Sequence, residues 1–372
     1  MKKSWAIMRR DLIKLSRAPA LVVASVVMPV LFLVIFGNSL QGQLKHLPLV
    51  IVSQDQGPYG IRVLERIQAL AAGPQTITIS YRHDPGKALQ EVRVGHYKAA
   101  LVIPPDFSRD IIAGRIGELG LFVDNVDSIS TAALKAVVGQ ATATLRSNYV
   151  TAREPKLNEI ALRSSNLFVT VDYDRSLIPG VIVMALFMGS MTSGVFNWIM
   201  DRFSGVTEAH LVTPLSPWNI ASGLLASSVL ATTCEAILVL IAGLALTGGG
   251  IAGGMRALGM LCGVIVLTGT GLLAMMFAMY SRTSNPRLIG GPASFLNMIL
   301  FFPSGALYPI ESLPPWLHSF TRWNPETHAI RALKSVMFKG ADFAAISADV
   351  AFLAAFTAIM LLLAAATLKR SL

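Results

Sequence analysis

Glu235 sits near the middle of the apolar run Ile220–Leu246, where a carboxylate costs about 3 kcal/mol unless it is paired or protonated. Such a group either faces a pathway, touching substrate or gating by protonation, or is held by Thr232, Thr233 or a neighbouring helix; both readings stay open. Asn197 and Asn297 lie in other apolar runs. They join Glu235 as candidate pathway residues, although amides more often tie helices together. Asp124 and Asp127 in "VDNVD" stand at the end of a β-like run, where carboxylates cap helices more often than they bind cations. His318 and His328 have no partner at metal spacing, and Cys234 and Cys262 form neither a disulfide framework nor a metal pattern. No phosphate-binding G-x-x-x-x-G-K-[ST], no H-E-x-x-H and no G-x-S-x-G occurs, and the cluster "GGGIAGG" lacks the lysine. The reading is therefore no catalytic residue, no metal site and no enzyme activity on this chain.

The elements that must position these residues are set by the solvent. The chain is 53% hydrophobic and 14% charged, against roughly a quarter charged in soluble domains. It reads as an α-helical integral membrane protein with six transmembrane helices: Pro19 to Leu40, Ile178 to Met200, Ile220 to Leu246, Met255 to Tyr280, Leu288 to Ile310 and Ile346 to Leu368. Between the first two, residues 41–177 turn soluble in composition. The runs "PLVIV", "TITISY", "YKAALVIP" and "LGLFV" alternate with helical patterns, which reads as an inserted α/β domain. A longer helix is expected from Ser128 to about Leu162, and a last β-like run in "LFVTVDY". The five remaining spans fill 178–372.

The net charge of +10 could suggest nucleic acid, but its placement says otherwise. Residues 45–175 carry 15 basic and 13 acidic side chains, so most of the excess lies elsewhere. Lys2, Lys3, Arg9, Arg10, Lys14 and Arg17 precede the first span, and Lys369 and Arg370 follow the last. By the positive-inside rule both termini are cytoplasmic and the α/β domain is extracytoplasmic. Arg322, Arg331, Lys334 and Lys339 go against that rule, in an outer hairpin at about 310–340 where Trp316 and Trp323 read as headgroup anchors. Residues 1–18 read as a cytoplasmic interfacial helix, with Trp5, Met8, Leu12 and Leu15 at helical spacing. "GMLCG", Gly259 to Gly263, has the small-residue spacing of a close helix contact, within the bundle or between two copies.

Between the second and third spans lies the polar island "DRFSGVTEAHLVTPLSPWNI". Ser216 and Pro217 start a new helix, and "GVTEAHLV" is long enough for about two helical turns. This island resembles the loop that membrane subunits of type 2 ATP-binding-cassette exporters write as G-T-x-E followed by L-x-x-T-P-L-S. Gly205, Glu208, Leu211, Thr213, Pro214, Leu215 and Ser216 match it, and Val206 departs from it. "RRDLIKLSRAP", "ALVIPPDFSRDIIAGR", "VDNVD", Pro179 with Gly180, and "YPIESLPPWLHSFTRWNPETHAIRALKSVMFKG" resemble other signatures of the branch with a large extracytoplasmic domain after the first helix, in the same order. The resemblance implies a permease subunit in the cell (inner) membrane, moving a lipid-like, drug-like or polymeric substrate out of the cytoplasm or inner leaflet. It implies a coupling helix at about 203–213 that docks on a separate ATPase subunit. ATP and Mg would sit on that partner, with no cofactor on this chain. Further partners would be a second copy or a similar permease chain, a periplasmic adaptor and membrane lipid. A membrane-anchored receptor or scaffold with a ligand-binding extracytoplasmic domain is the rival reading.

Overall fold

The computed structural model describes residues 2–17, 19–39, 46–72, 77–147, 161–166, 171–206, 216–283 and 287–369. The chain divides into two units: Met1–Ser39 with Leu177–Tyr308 and Ser319–Leu372, and Leu40–Ser176 with Pro309–His318. The first begins with helix α1, Lys2–Ser16, and helix α2, Pro19–Ser39. On α1 the buried side chains are Ile7, Asp11 and Leu15, four apart and so on one face. Trp5 of the sequence stripe is exposed. On α2, Val23, Val27, Met28, Leu31, Val34 and Ile35 stay about half exposed. An apolar face of that extent is unfavourable in water and costs nothing in lipid.

The second unit is built on a five-stranded sheet of order β2-β1-β3-β4-β5. Its elements are β1 Leu47–Ser53, α3 Pro58–Ala72, β2 Ile77–Arg82, α4 Pro85–Val94, β3 Ala99–Ile103, α5 Phe107–Ile112, β4 Glu118–Val123, α6 Ser128–Ser147, β5 Ala161–Asn166 and α7 Tyr173–Ser176. β1 pairs in parallel with β2 and β3, β4 runs antiparallel to β3, and β5 runs parallel to β4. Leu49 to Val52 of β1 are all buried, the mark of a strand covered on both faces. The chain leaves β1 for β2 on one side and returns over β1 to β3. Right-handed crossovers therefore put α3 and α4 on opposite faces. Ala88 and Val92 of α4 pack on Val50, Val52 and Ala100.

Two expectations shift here. The long helix is described as far as Ser147, and Ala161 and Leu162, expected within it, belong to β5, which bonds the free edge of β4 from Glu118↔Ala161 to Val123↔Asn166. An edge left open by a distant strand is invisible to local pattern. The run "LFVTVDY" lies mostly outside the described residues; Val171 and Asp172 are not in a strand. Segment 309–318 joins this unit: Lys98 Nζ lies 3.6 Å from Glu311 Oε1. Burial opposes charge on Lys98, but the carboxylates of Glu311, Asp127 and Asp124 outweigh it and hold the ammonium above its ordinary range.

The first unit resumes with α8, Ile178–Gly189, which runs through a π-helical stretch, Ser190–Phe196, into α9, Asn197–Phe203. It continues with α10 Pro217–Thr247, α11 Gly254–Tyr280, α12 Arg287–Phe301 and a 3-10 turn at Phe302–Ser304. After α13, Pro315–Thr321, whose first residues belong to the second unit, come α14 Pro325–Lys339 and α15 Phe343–Lys369. Among the described residues four helices are long and apolar enough to cross a membrane: Tyr173–Phe203, Asn219–Thr247, Gly254–Tyr280 and Phe343–Thr367; Val23–Gly37 and Ile289–Ser304 are shorter apolar helices. The α-helix expected to run to Ile310 stops at Phe301, because Pro303 removes a donor and Gly305 turns left-handed at φ 81°. Among the described residues nothing lies within 4 Å of a Cβ at Gly259 or Gly263 of "GMLCG".

Candidate functional site

Glu235 is 1% exposed and faces the π-helical stretch. Ser193 Oγ donates to its Oε1 at 2.6 Å, and Ser25 of α2 hydrogen-bonds the same carboxyl. Oε2 has no partner among the described residues. Three helices thus converge on one acid. Ser190 and Thr192 return their hydroxyls to the carbonyls of Leu186 and Met188, at 2.7 and 2.9 Å. Such back-bonding loosens the ladder and accompanies the wider turn. Gly189 leaves the space the acid occupies: a Cβ there would press on Glu235 Oε2 and lie 3.0 Å from Thr232 Cγ2. Thr233 Oγ1 is buried without a partner, so it does not hold Glu235.

Asn197 follows the π stretch directly and is buried. Asn297 lies on α12 with its Oδ1 buried and unpaired, and no hydrogen bond among the described residues joins it to Glu235. Trp316 and Trp323 are both largely exposed.

A second polar cluster lies at the end of α9. Asp201, 4% exposed, accepts from Arg10 Nη2 at 2.7 Å and from Lys14 Nζ. Arg10 also reaches Asp11 at 2.5 and 2.9 Å, and Ser227 of α10 donates to Asp11 at 3.2 Å. Helix α1 is therefore bolted to the head of the polar island and to the helix that leaves it. Gly223 makes the approach close, since a Cβ there would stand 2.7 Å from the Ser4 carbonyl. Arg202 Nη1 donates to the Ser281 carbonyl at 2.8 Å, tying α9 to the end of α11. On the far side of the island, the Ser216 hydroxyl caps α10 through Asn219 N at 3.3 Å. Gly205 is left-handed at φ 73° with nothing within 4 Å of a Cβ. Glu208, Leu211, Thr213 and Pro214 lie outside the described residues.

The basic residues of α1 entered the sequence reading as topology signals and as part of an interfacial helix; that Arg10 and Lys14 meet Asp11 and Asp201 needed the fold. Two of the cations of the hairpin region, Arg331 and Lys334, are likewise partnered. Arg331 binds Asp349 of α15 through Nε at 2.9 and 3.0 Å and through Nη2, while His328 Nδ1 lies 2.8 Å from Asp349 and its ring stacks 3.9 Å from Phe352. Lys334 donates to the Gly305 carbonyl at 3.0 Å.

These features define a multi-pass helical membrane protein with a carboxyl, Glu235, buried where three helices meet and an ion-paired helix at the end of the bundle. The chain belongs to the ABC-2 family transporter proteins, whose family model matches residues 20–366. It is 25% identical to the probable multidrug ABC transporter permease YbhR of Escherichia coli K12, over 91% of this chain and 90% of that one. It is 22% identical to the inner membrane transport permease YhhJ of the same organism, over 81% and 79%. With the daunorubicin resistance ABC transporter permease protein DrrB1 of Streptomyces coeruleorubidus it shares 26% identity over 47% of this chain and 61% of that one. A crystal structure of a domain of a putative ABC type-2 transporter from Thermotoga maritima aligns with 32% of this chain and 86% of that domain, at 18% identity and a TM-score of 0.26, too low to carry an argument. The chain is thus a transport permease. Permeases of this family are not enzymes themselves and work with an ATP-binding-cassette ATPase subunit.

Proposed function

We propose that this chain is the membrane subunit of an ATP-driven exporter, with six spans, both termini in the cytoplasm and the α/β unit on the extracytoplasmic side. Residues 203–213 form the coupling helix, and its Glu208 and Leu211 meet the ATPase. They are three apart, so a helix presents them together. The observation that carries this reading is the clamp of α1 on Asp201. A push received by the island enters α9 and, through α1, reaches α10 as well. The cargo is lipid-like, drug-like or polymeric, and Glu235, with Asn197 beside the π stretch, lines its path. A second copy or a similar chain completes the permease, and an adaptor on the outer side is the natural partner for the α/β unit.

The test is co-purification. Tagged chain should bring down an ATPase subunit, while the chain freed of partners shows background ATP turnover only. The double change Glu208→Arg with Leu211→Asp should leave insertion intact and abolish both the complex and transport. An unaffected complex would show that the island is a mere connector.

A further inference from the structure

Glu326, the second residue of α14, has no exposed surface. The turn that carries it is pinned: the Asn324 side chain accepts from the Glu326 N–H at 3.0 Å and donates to the Leu300 carbonyl at 2.6 Å. Its carboxyl is not. Neither Oε1 nor Oε2 has a hydrogen-bond partner among the described residues, and the neighbouring Thr327 Oγ1 is buried and unpaired as well. A buried carboxylate needs cations or several donors to persist, and the partial positive end of one helix supplies far less than its lost hydration.

The charged and titratable groups around α14 are engaged elsewhere or absent. On α14 itself, His328 and Arg331 are taken by Asp349, and Lys334 by the Gly305 carbonyl; Lys339 lies in its last turn. α11 carries Arg256, Cys262 and Tyr280, and α15 carries Asp349 and, as its last residue, Lys369, with Asp342 just before it. α8 and the turn at Phe302–Ser304 carry none. Burial is the cause that pushes the Glu326 carboxyl well above the ordinary carboxylate range, and no charge contributes to it.

We propose that Glu326 is a proton-held latch: as the neutral acid it seats the first turn of α14 in the bundle, and release of that turn to water is coupled to loss of its proton to solvent. The segment has a place to hinge at each side, Gly305 at φ 81° and Gly340 at φ 59°. The sign follows from linkage. The seated carboxyl titrates above the hydrated one, so seating is complete below the ordinary carboxyl range and weakens as pH rises from there towards the raised value. Each pH unit in that window favours release about tenfold.

The experiment is hydrogen exchange on the full chain in phospholipid nanodiscs, read as protection factors corrected for intrinsic rates, from about pH 5 to about pH 8. Protection of 325–339 should fall in the parent as pH rises, by up to about tenfold per unit. It should stay flat in Glu326→Gln and in the apolar Glu326→Met, with 254–280 flat throughout. Infrared difference spectra at the acid end of that range should show a protonated-carboxyl C=O band in the parent that Glu326→Gln lacks. A slope that survives in both variants would assign the proton to another group and overturn the latch. So would a flat parent, the absence of the band, or a slope shared by 254–280. Because both faces of a nanodisc meet the same buffer, the outcome does not depend on the orientation or on the exporter reading.

Discussion

Which side of the α1 clamp is replaced should decide how much is lost. Asp201 is buried, whereas the Arg10 and Lys14 side chains are 36% and 41% exposed. Asp201→Asn removes the negative partner, but both cations can turn to water. The loss is then that of charge-assisted hydrogen bonds discounted for screening, about 1–2 kcal/mol. The reverse change, Arg10→Gln with Lys14→Gln, leaves Asp201 and Asp11 buried without a cation, and an uncompensated buried charge costs about 3 kcal/mol or more. Exchange protection of 2–16 in the full chain, where about 1.4 kcal/mol is tenfold, should therefore fall about tenfold in the first variant and on the order of a hundredfold in the second. Adding Asp201→Asn to the double variant should restore part of the protection, since it removes an orphaned acid. If the acid-side variant is the worse one, or if the combination shows no rescue, the clamp is a surface pairing and the reasoning fails.

Gly189→Ala should destabilise the bundle by about 1–3 kcal/mol, because the new methyl meets Glu235 Oε2 and Thr232; thermal unfolding of parent and variant in the same lipid measures it, and an unchanged midpoint would show that the acid has room to move. Lys98→Met should loosen segment 309–318 by about 1 kcal/mol, the partly exposed Glu311 losing its cation. Protease cleavage within 309–318 should then speed up while the 99–103 strand stays protected.

Membrane character was legible in the sequence because hydropathy is local: a run of apolar side chains needs no partner to be recognised. The strand runs "PLVIV", "TITISY", "YKAALVIP" and "LGLFV" fall in β1 to β4 for the same reason, each being a short stretch rich in apolar, β-branched or aromatic residues. Glu235 could be singled out because a carboxylate deep in an apolar run is anomalous wherever it points. The rest depended on contacts between segments far apart in the chain. Nothing local says that Asp201 meets Arg10 and Lys14, that β5 takes the open edge of β4, or that Ser193 turns to Glu235 across a π-helical turn. Glu326 shows the limit most sharply. In "NPETHAIRALK" it reads as an ordinary acid in the first turn of a helix, favoured by the positive end of the helix. Only the packing of the helices around α14 takes its carboxyl out of contact with solvent and leaves it without a hydrogen-bond partner among the described residues, and so disfavours the charge that a surface position would welcome.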